Sequence, residues 1–286
     1  MYTRYRDEQA MYRSNRGPQL RISPRLVLAA VIAIVTLIGY YSRSSHNPIT
    51  GRTQRVALSP AQEIALGLQS APEMARQFGG LSADRGATAL VESIGAKLVA
   101  ALPPEAHPYP FQYHLLADRN TVNAFALPGG QIFITEALYS RLKTEGQLAG
   151  VLGHETGHVL ARHSAEQMAK TQLAQGLVGA AGTAASDYGA GGAAQQTAAA
   201  VAQFSLMKYG RNDEIEADAL GLRFMHAAGY DPRALIGVMR ILAEASGGSD
   251  RPEFMSTHPN PGNRIEQIEN AIAERFPRGV PDGLVP

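Results

Sequence analysis

The chain has no cysteine among its 286 residues. That excludes structural disulfides, thiolate metal ligands and a lipid-modified cysteine anchor. It leaves the redox compartment open, because a protein without disulfides can fold anywhere. A charge excess of either sign is also missing: 26 basic residues face 25 acidic ones, a formal net charge of +1. Near-neutrality argues against nucleic acid as a partner. Long apolar runs are scarce, and one stands out, at residues 26–41, with no charged residue inside it.

That run predicts a transmembrane signal anchor. As a helix it spans about 24 Å, slightly short of a ~30 Å hydrocarbon core. Ile22, a snorkelling Arg25 and the tyrosines at positions 40 and 41 can make up the difference. Residues 1–25 form a basic tail with Arg4, Arg6, Arg13, Arg16, Arg21 and Arg25 against Asp7 and Glu8. The basic side stays cytoplasmic. The expectation is a single-pass protein with its N-terminus in the cytoplasm and the bulk of the chain across the membrane. A leader cleaved near Ser42-Arg43-Ser44 is the alternative reading. Residues 42–58 read as a polar linker, and residues 59–286 as one domain large enough for a sizeable core.

Inside that domain lies His154-Glu155-Thr156-Gly157-His158. Residues four apart share a helix face, so His154 and His158 can offer two imidazole nitrogens to one metal ion. Glu155 stands beside them as a carboxylate base. Two nitrogen ligands and a base are the kit of a zinc peptidase. Thr144-Glu145-Gly146-Gln147 predicts a capping box, and Leu148, Val151, Leu152, Val159 and Leu160 continue with helical spacing. A single helix is expected from Thr144 to about Lys170, with His163 near its end bonded to backbone or a carboxylate.

A catalytic zinc needs a third protein ligand. The metzincin position for a third histidine is Ser164, which fails. The better candidate is Glu214, in a segment that Asn212 or Asp213 can cap as a helix. Asp218 is four residues on and shares its face, suited to orient a ligand histidine. Glu216 is expected to point elsewhere.

Residues 111–116 and 121–135 are the good strand candidates, with Pro128-Gly129-Gly130 marking a turn. The expected architecture is α+β: a helix-rich domain with a small β-sheet behind an N-terminal transmembrane helix. An edge strand beside the zinc can bind an extended peptide by main-chain pairing. The Ala- and Gly-rich stretch at residues 171–201 reads as a mobile lid or loop.

His154-Glu155-x-x-His158 followed by Glu214-x-x-x-Asp218 resembles the gluzincin metallopeptidase family of the HtpX, BepA, OMA and CAAX prenyl protease type. Asn123 to Thr135, Ser256-Thr257-His258-Pro259, Arg264-Ile265 and residues 61–80 are similar to further segments of that family, so the resemblance covers residues 59–276. It implies a zincin-type fold, one Zn2+ per chain, and hydrolysis of unfolded or misfolded envelope polypeptides as protein quality control. It implies His258 near the metal, either stabilising the oxyanion or plugging the zinc at rest, and Arg264 as support for the site. It places Asn123, Ala124, Phe125 and Ala126 against substrate. A chaperone-like binder that rarely cuts is the alternative function. The tetratricopeptide region of BepA-like members does not follow within this sequence, and the oligomeric state is not readable from it.

Overall fold

The computed structural model describes residues 23–106, 108–185, 208–245, 253–259 and 263–286. Most of the basic tail and residues 186–201 of the expected lid lie outside them.

Helix α1 (Pro24–Tyr41) starts where Ser23 caps it and Pro24 presets its first turn. It is the one described helix long and apolar enough to cross a membrane. Val31, Ile34, Val35 and Ile38 are 50%, 54%, 63% and 63% exposed. The expected linker then contains an antiparallel hairpin, β1 (Ser44–His46) with β2 (Thr53–Arg55). Short polar strands carry little hydrophobic alternation, so the pattern did not announce it.

Helix α2 (Pro60–Gln77) opens on a capping box between Ser59 and Gln62, and α3 (Arg85–Ala100) on Asp84. The sheet follows: β3 (Gln112–Leu116), β4 (Ala124–Leu127) and β5 (Gln131–Thr135), in the order β3-β5-β4. β3 runs parallel to β5, and β4 antiparallel to it with Phe125 opposite Phe133. Gly129 and Gly130 turn the chain at φ of 80° and 102°. A Cβ on Gly129 would meet the Ile64 backbone at 2.4 Å, so the turn both needs left-handed backbone and sits tight on α2. β4 is left at the edge of this sheet.

After the short α4 (Glu136–Tyr139), α5 (Glu145–Leu160) carries the histidine pair. Every residue from Leu148 to Leu160 is buried. The helix ends sooner than the periodicity predicts: Arg162 takes φ 58°, and α6 (His163–Ala185) sets off afresh. Left-handed backbone is unfavourable for arginine. Partners hold it there, for Arg162 Nε donates to Glu63 Oε2 at 3.1 Å and Nη2 to the Leu58 carbonyl at 2.5 Å. Residues 171–185 of the expected lid are thus the continuation of α6, which packs along α1, Gly176 against Thr36.

Helix α7 (Arg211–Ala227) crosses α5 where glycines meet. A Cβ on Gly157 would lie 2.9 Å from the Ala217 carbonyl, and one on Gly221 3.1 Å from the His154 nitrogen. α8 (Ala234–Ala245), α9 (Glu253–Thr257) and α10 (Arg264–Arg275) complete the order. The main core joins α3, the sheet, α5, α7 and α8 around Ile94, Leu115, Ile132, Leu152 and Leu235. This is the α+β, helix-rich plan the sequence predicts.

Candidate active site

Close crossing of α5 and α7 brings their polar residues into one dry space. His154 and His158 are one turn apart on α5 and expose 2% and 1%; Glu214, in the first turn of α7, exposes none. The Nε2 atoms of the histidines approach to 3.0 Å. Glu214 Oε2 lies 3.5 Å from His154 Nε2, and Oε1 lies 3.4 Å from His158 Nε2. His258, just after α9, puts Nδ1 3.0 Å from Glu214 Oε1. One ligand atom from each of these four residues falls within 4.8 Å of every other, a group able to hold one metal ion.

Two details fit zinc. The outer nitrogens are engaged, His154 Nδ1 with Asp218 Oδ1 at 2.8 Å and His158 Nδ1 with His163 Nδ1 at 2.9 Å. Their Nε2 lone pairs are left to converge beside a carboxylate, an N,N,O donor set that suits Zn2+. Both oxygens of Glu155 are wholly buried without a hydrogen-bond partner, the nearest cation candidate being His258 Nε2 at 3.6 Å. A buried carboxylate in that condition calls for a guest, a water or an ion.

Electrostatics separate the four groups. Burial pushes the Glu155 carboxyl up, with His258 and His154 offsetting part of that. Burial acts against ionising Glu214 too, but His258, His154 and His158 outweigh it and hold it well below the carboxylate range. At His154 burial is outweighed by Asp218 and Glu214, which lift the imidazole to about 9. At His158 burial wins and holds it well down. A cation would compete with the proton on His154, so metal uptake would release it.

Asp218 also accepts from Arg264, Nε to Oδ2 and Nη2 to Oδ1, each at 2.8 Å. Arg264 is 1% exposed and sets Nη1 2.9 Å from Glu214 Oε2. Asn123, Ala124, Phe125 and Ala126 sit at and along edge strand β4. Asn123 is buried, with Oδ1 unpartnered. A cleft runs from this strand to His258 of the cluster, lined by Phe78, Asn123, Phe125, Leu127 and Tyr209.

Sequence reasoning missed Tyr209, the contact between His163 and His158, and the place of Glu216. Tyr209 stacks on the His158 ring at 4.0 Å between centroids. His163 bonds a carboxylate as expected, but that carboxylate is Glu216, Nε2 to Oε2 at 3.0 Å, and its other nitrogen reaches His158. Glu216 therefore reaches the site through His163, which follows the left-handed turn at Arg162. Its spacing from Glu214 could not show that.

A buried histidine-carboxylate cluster able to hold one metal ion thus sits where two helices cross in this helix-rich fold. The profile of peptidase family M48 matches residues 86–272, and the chain belongs to that family. It is similar to the "Beta-barrel assembly-enhancing protease" of Yersinia pestis, 32% identical over 237 residues, which cover 80% of this chain and 48% of that protein. The protein of the same name in Escherichia coli (strain K12) is 30% identical over 82% of this chain and 48% of its own length. The "Mitochondrial metalloendopeptidase OMA1" of Schizosaccharomyces pombe is 36% identical over 57% of this chain and 47% of its own. The chain thus spans about half the length of these curated relatives.

Proposed function

We propose that this protein is a membrane-anchored endopeptidase that cuts extended, unfolded or misfolded polypeptide of the cell envelope. α1 anchors it in the inner membrane, with residues 59–286 on the periplasmic side. The observation that carries the reading is Glu155, a buried carboxylate with no hydrogen-bond partner, beside converging histidine nitrogens and 3.6 Å from His258, which lines the edge-strand cleft. The names and identities of the relatives support the envelope setting.

His154, His158 and Glu214 would hold the zinc. When bound it supplies Lewis acidity, which draws the pKa of water toward neutrality and polarises a carbonyl. Substrate pairs its main chain along β4 at Asn123, Ala124, Phe125 and Ala126, so recognition depends little on side chains. Asn123, whose Oδ1 is buried without a partner, borders that cleft. Glu155 takes the proton of the attacking water and gives it to the leaving amine. Asp218 and Arg264 keep His154 in the tautomer that presents Nε2.

His258 supports a second reading, a latent enzyme that mainly holds extended chain. Its imidazole lies within the four-residue cluster, so it would be able to hold the metal together with the other three. Moved aside, the same imidazole can stabilise the oxyanion.

The test is hydrolysis of a disordered protein such as casein by the zinc-loaded chain and by Glu155→Gln. The expected loss is about 10²- to 10⁴-fold with zinc retained. Equal turnover by both proteins would refute the base assignment. Zinc bound in both with no cleavage by either would favour the latent reading, and His258→Ala should then release activity.

A further inference from the structure

The hairpin after α1 reaches the metal cluster from outside. Asn47 and Gln54, each 3% exposed, donate to the Leu160 carbonyl at 2.8 Å and the Ala161 carbonyl at 2.6 Å. Those are orphan carbonyls at the end of α5, so the hairpin caps the helix that carries both histidines. Between them, Arg52 Nη1 donates to Glu216 Oε2 at 2.5 Å.

With both imidazoles neutral, the hydrogen bonds from Arg52 inward run in one direction. The Glu216 carboxylate, paired with arginine, only accepts. His163 Nε2, 3.0 Å from it, must therefore carry the hydrogen. A neutral His163 then has a bare Nδ1, so His158 Nδ1, at 2.9 Å, must donate. A neutral His158 that donates from Nδ1 has a bare Nε2, the atom 3.0 Å from His154 Nε2. The arrangement mirrors the far side of the cluster, where Arg264 and Asp218 fix His154. There the arginine is buried; here Arg52 leaves 44% of its side chain exposed.

We propose that Arg52, Glu216 and His163 form a relay that fixes the tautomer and ring orientation of His158, making the hairpin next to the anchor a working part of the metal site. His163 and Glu216 are then positioning residues, and Arg52 is the point at which a change in the hairpin reaches the site. The proposal rests on the reading of His154, His158 and Glu214 as the metal ligands.

The experiment uses the full chain in detergent and measures zinc affinity by competition with a chromophoric chelator, alongside the melting temperature of the metal-free protein. Glu216→Gln and His163→Phe should weaken zinc binding about 10- to 100-fold, the usual effect of losing a ligand's outer support. Arg52→Ala should weaken it less, and Arg52→Lys should restore most of the loss. In zinc-loaded protein, histidine ¹⁵N spectra should show His158 protonated at Nδ1. Lower melting temperatures with unchanged zinc affinity would overturn the relay and leave a merely structural role. A parent chain that binds no zinc would instead overturn the ligand reading beneath it. Should His163→Phe not fold, the Glu216 and Arg52 variants decide the matter by the same affinities.

Discussion

Helices α1 and α5 break the usual sorting of side chains in opposite directions. On α1, Val31, Val35 and Ile38 are half or more exposed. On α5, His154, Glu155, Thr156 and His158 expose 2% or less. Apolar surface in water and polar groups out of it both cost free energy. Neither helix is therefore explained by the protein alone. The first fits a lipid phase outside the chain, the second a cation and its water inside. What the pair teaches is that the chemistry of an unusually placed residue class points to the surroundings it suits.

The comparison can be broken most forcefully on the α5 side. Asp218→Ala removes both hydrogen bonds that hold the buried Arg264 Nε and Nη2 and leaves it Glu214 alone as an ion-pair partner, which should cost up to about 3–5 kcal/mol in denaturant unfolding. The pH dependence should change with it. Burial alone would raise the Asp218 pKa, but Arg264 outweighs burial and holds it below the ordinary 3.8. Its contribution is present above that value and is lost as pH falls through the folded one, so the variant should lose part of the acid limb. A variant as stable as the parent would mean that the buried pair does not support α5.

On the α1 side the expected effect is next in size. Val31→Asp places a charge mid-helix, at about 2.5–3.5 kcal/mol for membrane insertion. Carbonate extraction should move the variant from the membrane pellet to the supernatant while zinc binding is kept. Retention in the pellet would remove α1 from the hydrocarbon phase.

A smaller effect tests the contact that makes α5 polar inside. Gly157→Ala meets the Ala217 carbonyl and should cost about 1–3 kcal/mol through overpacking. Glu214 would shift away from the histidines, so zinc affinity should fall in step with melting temperature. A change in stability without a change in zinc affinity would uncouple the crossing from the site.

Much of this was legible in the sequence because it is periodic and local. His154 and His158, Glu214 and Asp218 are pairs four apart, and a helix turns that spacing into a shared face. The Pro-Gly-Gly turn and the edge-strand segment announced themselves by residue type. The break at Arg162 did not, since arginine carries no signal for left-handed backbone and Glu63, a hundred residues away in sequence, holds it there. The hairpin at residues 44–55 is too short and polar to show a pattern. The inward turn of Glu216 depends on both. The unread part of the site is thus the part made by tertiary contact.

The central claim is that His154, His158 and Glu214 bind one zinc. Metal content of the purified full chain, by inductively coupled plasma mass spectrometry, tests it most directly. The account predicts one zinc per chain in the parent and in Glu155→Gln, and its loss in His154→Ala, His158→Ala and Glu214→Ala despite a retained helical spectrum. Stoichiometric zinc surviving in those three folded variants would contradict it.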